Sequence, residues 1–426
     1  MTTGLDGATL RTCVVLVPVV FVAALWLLNP DPRTRGAAFL AALWNAVFLV
    51  PVNMLAMQQN WWSFGVEGAV WNGVPVDLVL AWSVLWGATP ILLGRWINPA
   101  VTAGLLLIWD MAAMGSLEPL VVLRPHWWLG EMLSVAACLV PGVLLGRLTA
   151  QQRQVRIRVG LQMLLFATIL LVVLPALTLG VDRFARLPDS WSSVPVMALC
   201  QLIVVVGVVA VRAVAEFVRH GGTPYPWDPP ARMVTTGPYA YVANPMQLSS
   251  VVMLLLIAAI LRSPVMVLAA LVAAAFSAGL AAWSEQEDLR ARFGAGWGDY
   301  RAQVRDWLPR GHPTDLRQPA VLYVAQSCEA CSDVRRWLEA RRPVALECRP
   351  AEECHESLRR VRYEAADGLT LSGTRAIGAA LEHVGLGWAL AGWIMRVPVV
   401  ASFVQLVADA AGAGPRALPP QRGRTQ

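Results

Sequence analysis

The chain has 426 residues, 57% of them hydrophobic and only 15% charged, with a mean hydropathy of +0.54 and 19 tryptophans. An ordinary soluble domain is about a quarter charged, so these figures argue against a single soluble globule, a nucleic-acid binder and a disordered regulator. All 34 basic residues are Arg, and the net charge of +6 fits arginines flanking membrane spans better than the footprint of an anionic partner.

The charge is uneven. Residues 1–284 carry 15 Arg and 11 acidic residues, whereas residues 285–426 carry 19 Arg and 17 acidic residues in half the length. The first part reads as a membrane body, and the last third has soluble composition. A spanning helix needs about 20 mostly apolar residues. In chain order such runs occur at Thr12–Asn29, Gly36–Gln58, Asp77–Gly94, Pro99–Gly115, Glu131–Gly146, Val159–Gly180, Trp191–Val211, Met246–Leu261 and Pro264–Trp283, which makes about nine spans. The first run lacks the flanks of a cleavable signal peptide. Arg33 and Arg35, Arg95, the cluster Arg147, Arg153, Arg156 and Arg158, and then Arg212, Arg219 and Arg232 follow the odd-numbered spans. The positive-inside rule therefore places the N-terminus outside and the charged C-terminal third in the cytoplasm. The Arg-only basic set, with its Ala, Val and Gly richness, reads as a high-GC bacterial coding habit, so the expected location is the bacterial inner membrane.

Three carboxylates sit in or near the apolar zone. Asp77 and Glu131 fall at span ends, where capping a helix at the interface explains them, while Asp110 lies deeper and suits a polar pocket. Between spans seven and eight runs a proline-dense loop, His220-Gly221-Gly222-Thr223-Pro224-Tyr225-Pro226-Trp227-Asp228-Pro229-Pro230, continuing through Gly237-Pro238-Tyr239 to Asn244-Pro245-Met246-Gln247. Proline at this density cannot stay helical. Irregular backbone beside a membrane must be covered or line a cavity. Asn244 reads as an N-cap and Pro245 as the first helical residue. Spans eight and nine are joined only by Arg262-Ser263-Pro264, a tight hairpin, and Glu285-Gln286-Glu287-Asp288-Leu289 follows directly, then Phe293-Gly294, Tyr300 and Pro309.

These ordered segments, over roughly residues 157–312, resemble the isoprenylcysteine carboxyl methyltransferase and phospholipid methyltransferase group of integral-membrane enzymes. The resemblance implies S-adenosyl-L-methionine bound from the cytosolic side and a lipophilic substrate admitted from the bilayer. Carried over position by position, Ala231, Arg232, Met233 and Val234 would lie along the cofactor, Tyr239 would contact it, Asn244, Pro245, Met246 and Gln247 would form a second strip, and Glu285 would be its acidic residue. A carboxylate suits a ligand offering an ammonium and ribose hydroxyls. The chain departs from the family's Arg-His-Pro-x-Tyr pattern: Ala243 replaces the Arg, Asn244 the His and Gln247 the Tyr. Gln286 replaces the second acidic residue, and Ala281 stands where the prenylcysteine enzymes have a substrate arginine, so a prenylcysteine carboxylate is not the expected acceptor. A membrane reductase using NADPH shares this layout and remains a second reading. A membrane thiol-redox carrier with a degenerate methyltransferase body is a third.

The soluble part reads as strand Ala320–Val324, helix Glu329–Arg341, strand Val344–Arg349, helix Ala351–Arg360, a hairpin Val361–Ala365 and Leu369–Ser372 around Asp367-Gly368, and helix Thr374–His383. That order is the thioredoxin order, with Cys328-Glu329-Ala330-Cys331 where the first strand meets the first helix. A thiol at a helix N-terminus is favoured as thiolate. With Asp367-Gly368-Leu369-Thr370-Leu371-Ser372-Gly373-Thr374-Arg375-Ala376 and Trp388 through Pro398, the tract resembles the DCC family of thioredoxin-like oxidoreductases, which implies that Cys328 attacks and Cys331 resolves. The family's Tyr-Asp-Gly-x-Cys appears here as Tyr323-Val324-Ala325-Gln326-Ser327-Cys328, without the acidic residue. Cys348, Cys354 and His355 open a zinc alternative with the first pair, but they sit on a strand and a helix rather than on a second knuckle, so no metal is expected.

The expectation is therefore a mostly α, polytopic membrane helical bundle with a C-terminal α/β thioredoxin-like domain. Residues 1–150 form a membrane module of open role, 151–312 a methyltransferase domain and 318–426 the thioredoxin-like domain. The expected partners are membrane lipids, a lipophilic or thiol-bearing small molecule and a thiol-redox partner protein, with no nucleic acid.

Overall fold

The structure is a computed structural model that describes residues 7–65, 68–181, 184, 193–225, 228–281, 289–326, 329–354 and 356–415, with the side chains of 280, 281, 329–331 and 413 outside that description. Among the described residues seven helices are long and apolar enough to cross a membrane, so this is a multi-pass membrane protein. They are α1 (Gly7–Leu28), α2 (Pro32–Gln58), α3 (Val76–Arg95), α4 (Pro99–Ser116), α5 (Trp127–Ala150), α6 (Val155–Leu179) and α7 (Val194–Arg219). Seven of the nine expected spans are these; of the last two runs, the described residues form the apolar helices α8 (Pro245–Leu261) and α9 (Pro264–Gly279). The chain divides into two compact units, Met1–Arg186 with Gly221–Pro229, and Leu187–His220 with Pro230–Gln426.

In the first unit α2 is the hub. A Cβ on Gly87 of α3 would stand 2.5 Å from the Ala41 carbonyl, one on Gly142 of α5 would stand 2.5 Å from Asn45, and one on Gly146 would stand 3.0 Å from Ala41 Cβ. Lipid tails compete equally for apolar side chains, so small residues that let backbones approach are what hold such helices together. Helices α3, α5 and α6 each contain one widened turn, at Val84–Ala88, Val135–Leu139 and Ile169–Val173. Each widened turn ends two residues before a proline, Pro90, Pro141 or Pro175. The pyrrolidine ring lacks an N–H and clashes with the carbonyl four residues back, and opening the turn relieves that clash. Ala137, four before Pro141, gives its freed carbonyl to Trp44 Nε1 at 2.9 Å, so the broken bond becomes a link between α5 and α2. A short antiparallel pair, β1 (Trp62–Phe64) with β4 (Val121–Leu123), ties the loops at one end, and β2 (Val70–Trp71) pairs with β3 (Val74–Pro75). The proline loop contributes Tyr225, whose hydroxyl donates to the Gly36 carbonyl at 2.5 Å, and Asp228, which accepts from Arg158 at 2.6 Å and from Gln152 at 3.1 Å.

In the second unit α7 is followed by the α8–α9 hairpin. Arg262 takes a left-handed conformation there, and the Ser263 hydroxyl accepts from the Met266 N–H as an N-cap. After α10 (Ala295–Gln303) comes a four-stranded sheet of β5 (Ala320–Val324), β6 (Leu346–Pro350), β7 (Arg362–Ala365) and β8 (Thr370–Ser372) in the order β6-β5-β7-β8. β5 runs parallel to β6 and antiparallel to β7, and β7 to β8 is a hairpin. Helix α11 (Glu329–Glu339) connects the parallel pair as a crossover, and α12 (Thr374–Leu381) packs on the sheet through Ala376, Ala379 and Ala380 against Leu322, Val324 and Tyr363. Helices α13 (Leu386–Met395) and α14 (Pro398–Ala408) follow, and their apolar stretch is bent by 92°. Among the described residues of 351–360 the expected helix is absent. A single tight turn at Ala351–Glu353 ends at Cys354 in an extended conformation, and Ala351, Cys354 and Leu358 bury against Tyr323. Strand-like pairing at Leu358 competes with helix there, and tertiary burial overrides local propensity.

Candidate functional site

The irregular segment 230–247 lies wholly in the second unit and is clamped from two sides. On one side stands Glu216, near the end of α7 and only 1% exposed. Its Oε2 accepts the Thr236 hydroxyl at 2.7 Å, and its carboxylate also pairs with Arg212 at 2.8 Å and Arg219 at 2.7 Å. Thr236 leads into the turn Gly237–Ala240, where Gly237 has φ +59° and any Cβ would meet Glu216 Cγ at 2.6 Å. Glycine is required at that position twice over, for the conformation and for the approach. Pro238 then presets the following turn, and Tyr239 stacks on Phe217 of α7 at 5.0 Å between ring centres.

On the other side stand α10 and the chain that follows it. Tyr300 is buried and donates its hydroxyl to the Tyr239 carbonyl at 2.8 Å. Burial pushes the Tyr300 phenol above its usual range, so it stays protonated and acts as a donor. The backbone N–H groups of Ala243 and Asn244 donate to the carbonyls of Arg305 and Asp306, and Thr314 N–H donates to the Ala240 carbonyl. Asp306 is held by Arg301 at 2.5 Å and accepts from Asn244 Nδ2 at 3.2 Å. Asn244 therefore occupies the N-cap position of α8 but makes no side-chain cap bond, and its Nδ2 donates to Asp306 instead. Pro245 is at the start of the helix, as its missing N–H predicts.

Of the residues expected along the cofactor, Val234, Tyr239 and Met246 meet in one cluster with Ala213 and Phe217. Met233 packs into a second cluster with Ala243, Tyr300 and Val304. Ala231 and Arg232 are exposed, and Ala231 N–H donates to the His220 carbonyl at 2.9 Å. Gln247 is half-buried, and its Oε1 is buried with no hydrogen-bond partner. A buried acceptor without a donor is costly, and it is what a cationic or hydroxyl-bearing ligand would satisfy. Glu285, expected as the acidic cofactor residue, lies outside the described residues, as does Cys328; Cys331 belongs to the first turn of α11.

Sequence reasoning gave no role to Glu216, Thr236 or Asp306, and named Tyr300 only as an element of the motif. Glu216 alone carried a readable signal, a carboxylate inside the 26-residue apolar helix α7, which the expected span ended too early to include.

A second charged cluster joins α7 to the sheet domain. Glu382 accepts from Arg317 at 3.3 Å, lies 3.9 Å from Arg212, and pairs with Arg396. Burial pushes the Glu382 carboxyl up, but Arg396, Arg317 and Arg212 together outweigh it and hold it down at about 2. Arg219 bridges Glu216 to Asp367. Tyr241 donates to the Glu382 carbonyl at 2.8 Å and packs edge-on against Trp393. The sheet domain is thus fastened to the segment that carries the Gly237 turn.

Cys348, on β6, is half-buried, and burial pushes its thiol up to about 11, away from reactivity. Among the described residues no group of three or more His, Cys, Asp or Glu side chains is placed to hold a metal ion, and His355 lies outside them.

Residues 195–296, from the first turn of α7 to the first turn of α10, match the family model of the phospholipid methyltransferases. No curated protein and no solved structure matches the chain. The matched stretch contains Glu216, the Gly237 turn, Tyr239, Asn244–Gln247 and the α8–α9 hairpin, and it is narrower than the 157–312 expected from the motifs.

Proposed function

We propose that this chain is a membrane methyltransferase that uses S-adenosyl-L-methionine, and that its acceptor is a lipophilic or thiol-bearing small molecule. The observation that carries the reading is the family match over 195–296, coinciding with the doubly clamped turn at Gly237–Tyr239. The cofactor supplies a sulfonium methyl whose leaving group is already activated. What remains for the protein is alignment and exclusion of water. Backbone from Ala231 to Val234, the Tyr239 ring and the strip Asn244–Gln247 would hold it, with the unpartnered Gln247 Oε1 and Glu285 as acceptors for its ammonium and hydroxyls. Glu216 is a positioning residue in this scheme, since it acts through Thr236 and Gly237. The cofactor site would face the cytosol, with the N-terminus outside.

The appended domain fits a thioredoxin-like reading. Its sheet order, with β5 between β6 and β7, supports that reading, as does the placing of Cys331 in the first turn of the crossover helix. In that role Cys328 would open a substrate disulfide to form a mixed disulfide, and Cys331 would displace the substrate thiol. The protein pair would end oxidised and the substrate reduced to two thiols.

Titration calorimetry of the full chain in lipid nanodiscs tests the first reading. S-adenosyl-L-methionine should bind saturably and be competed by S-adenosylhomocysteine. A chain that binds neither, and whose melting temperature is raised only by NADPH, is a reductase instead. Loss of cellular function in Cys328→Ser, with Glu285→Ala unaffected, would favour the redox carrier.

A further inference from the structure

In the first unit, helices α1 to α5 and the β1–β4 loops line a cavity. The walls include the indoles of Trp62, Trp82 and Trp86, and two carboxylates project into it, Asp110 from α4 and Glu131 from α5. Asp110 is 1% exposed and Glu131 3% exposed. Glu131 is therefore no interfacial helix cap, as its position in the sequence implied, but half of a buried pair. The two carboxyls lie close enough to interact, with the Trp82 indole beside Asp110. Beyond each other and that indole, neither Asp110 oxygen nor Glu131 Oε1 has a hydrogen-bond partner.

No described lining residue is basic. Arg11 of α1 is committed to Asp77 through two bonds of 2.8 Å. The remaining neutral polar groups are spent, apart from the Trp82 indole beside Asp110 and Trp86 Nε1, which is buried without a partner. Ser134 donates to the Gly130 carbonyl, Asn53 Nδ2 donates to the Leu49 carbonyl, and Asn53 Oδ1 accepts from Trp62 Nε1. Two facing carboxyls can share one proton, but the negative charge that is left stays buried without counter-charge, and a cation from outside the chain would neutralise it. A hard metal ion needs six or more oxygen ligands, and a pocket walled by tryptophan does not offer them. Aromatic faces attract organic cations.

We propose that this cavity binds an organic ammonium ion, whose N–H groups donate to Asp110 and Glu131 and whose apolar body lies against Trp62, Trp82 and Trp86. The site belongs to the N-terminal unit, outside the segment that matches the methyltransferases, and it stands whether or not the chain transfers methyl groups.

The test is titration calorimetry of the full chain in nanodiscs with n-butylammonium, using n-butanol as the neutral analogue of the same shape. Saturable binding of the ammonium, no competition by n-butanol, and affinity at least tenfold weaker in Asp110→Asn and in Glu131→Gln are expected. Both variants should keep the wild-type circular-dichroism spectrum and cooperative thermal unfolding, so that lost ammonium affinity is not lost folding. No saturable binding to wild type, unchanged affinity in the double variant, or displacement by sodium or magnesium at equal concentration would each overturn the proposal.

Discussion

Thr236 donates its hydroxyl to Glu216 Oε2 at 2.7 Å, joining the residue before the Gly237 turn to a carboxylate buried on α7. The same carboxylate holds Arg212 and Arg219, so it serves the loop and the charged cluster at once. Removing one partner of a buried ion pair costs about 3–5 kcal/mol, whereas losing one neutral hydrogen bond costs about 1 kcal/mol. Glu216→Ala should therefore destabilise several times more than Thr236→Val, as read by denaturant unfolding in detergent. Both should weaken S-adenosyl-L-methionine binding if the turn positions that cofactor. Equal destabilisation by the two variants would show that the ion pairs contribute nothing.

Gly237→Ala strains the backbone at φ +59° and drives a methyl group to 2.6 Å from Glu216 Cγ. A loss of about 1–3 kcal/mol is expected from the strained conformation. The double variant Gly237→Ala with Glu216→Ala should recover part of the contact cost. Additive losses in that cycle would mean that the two residues do not touch in solution.

Helix packing in the first unit gives a matched pair of glycines. A Cβ at Gly87 would lie 2.5 Å from backbone atoms of Ala41 and Ala42, which cannot yield, while one at Gly104 meets nothing within 4 Å. Gly87→Ala should lower stability by about 1–3 kcal/mol through overpacking. Gly104→Ala should be neutral, or stabilising by up to about 1 kcal/mol from helix propensity. Thermal unfolding of the two single variants measures the contrast.

Acid should loosen the sheet domain in two stages. His383 is wholly buried, its Nδ1 meets the Val344 carbonyl at 2.7 Å, and its Nε2 lies 2.9 Å from the Tyr363 hydroxyl and 3.3 Å from Arg317 Nε. Nδ1 thus carries the proton and Nε2 accepts, the neutral form, and burial with the nearby Arg317 charge holds the imidazole well below its ordinary 6.5. The unfolded chain takes up a proton below that pH while the folded chain does not, so stability falls as pH drops below 6.5. Glu382, held at about 2 against an ordinary 4.5, contributes stability above 4.5 that is lost as pH falls from there towards 2. One such group changes stability by about 1.4 kcal/mol per pH unit within its window. His383→Asn should flatten the slope between pH 6.5 and 5 and leave the steeper loss below 4.5. An unchanged upper slope would mean that His383 titrates normally in the fold.

The sequence by itself determined the elements whose causes are local. Apolar runs of sufficient length gave α1 to α7, Arg262-Ser263-Pro264 gave the tight hairpin, and Asp367-Gly368 gave the β7–β8 turn. The Gly237-Pro238-Tyr239 turn was legible because glycine and proline act on their own backbone. Tertiary structure alone decided the partners: Glu216 for Thr236, Asp306 rather than its own helix for Asn244, and Asp110 opposite Glu131. It also unmade the helix expected over 351–360, where burial on Tyr323 outweighed propensity. A buried polar group must satisfy itself with whatever the fold brings near it. That neighbour lies 20 residues away for Thr236 and 62 for Asn244, a separation that no local pattern encodes.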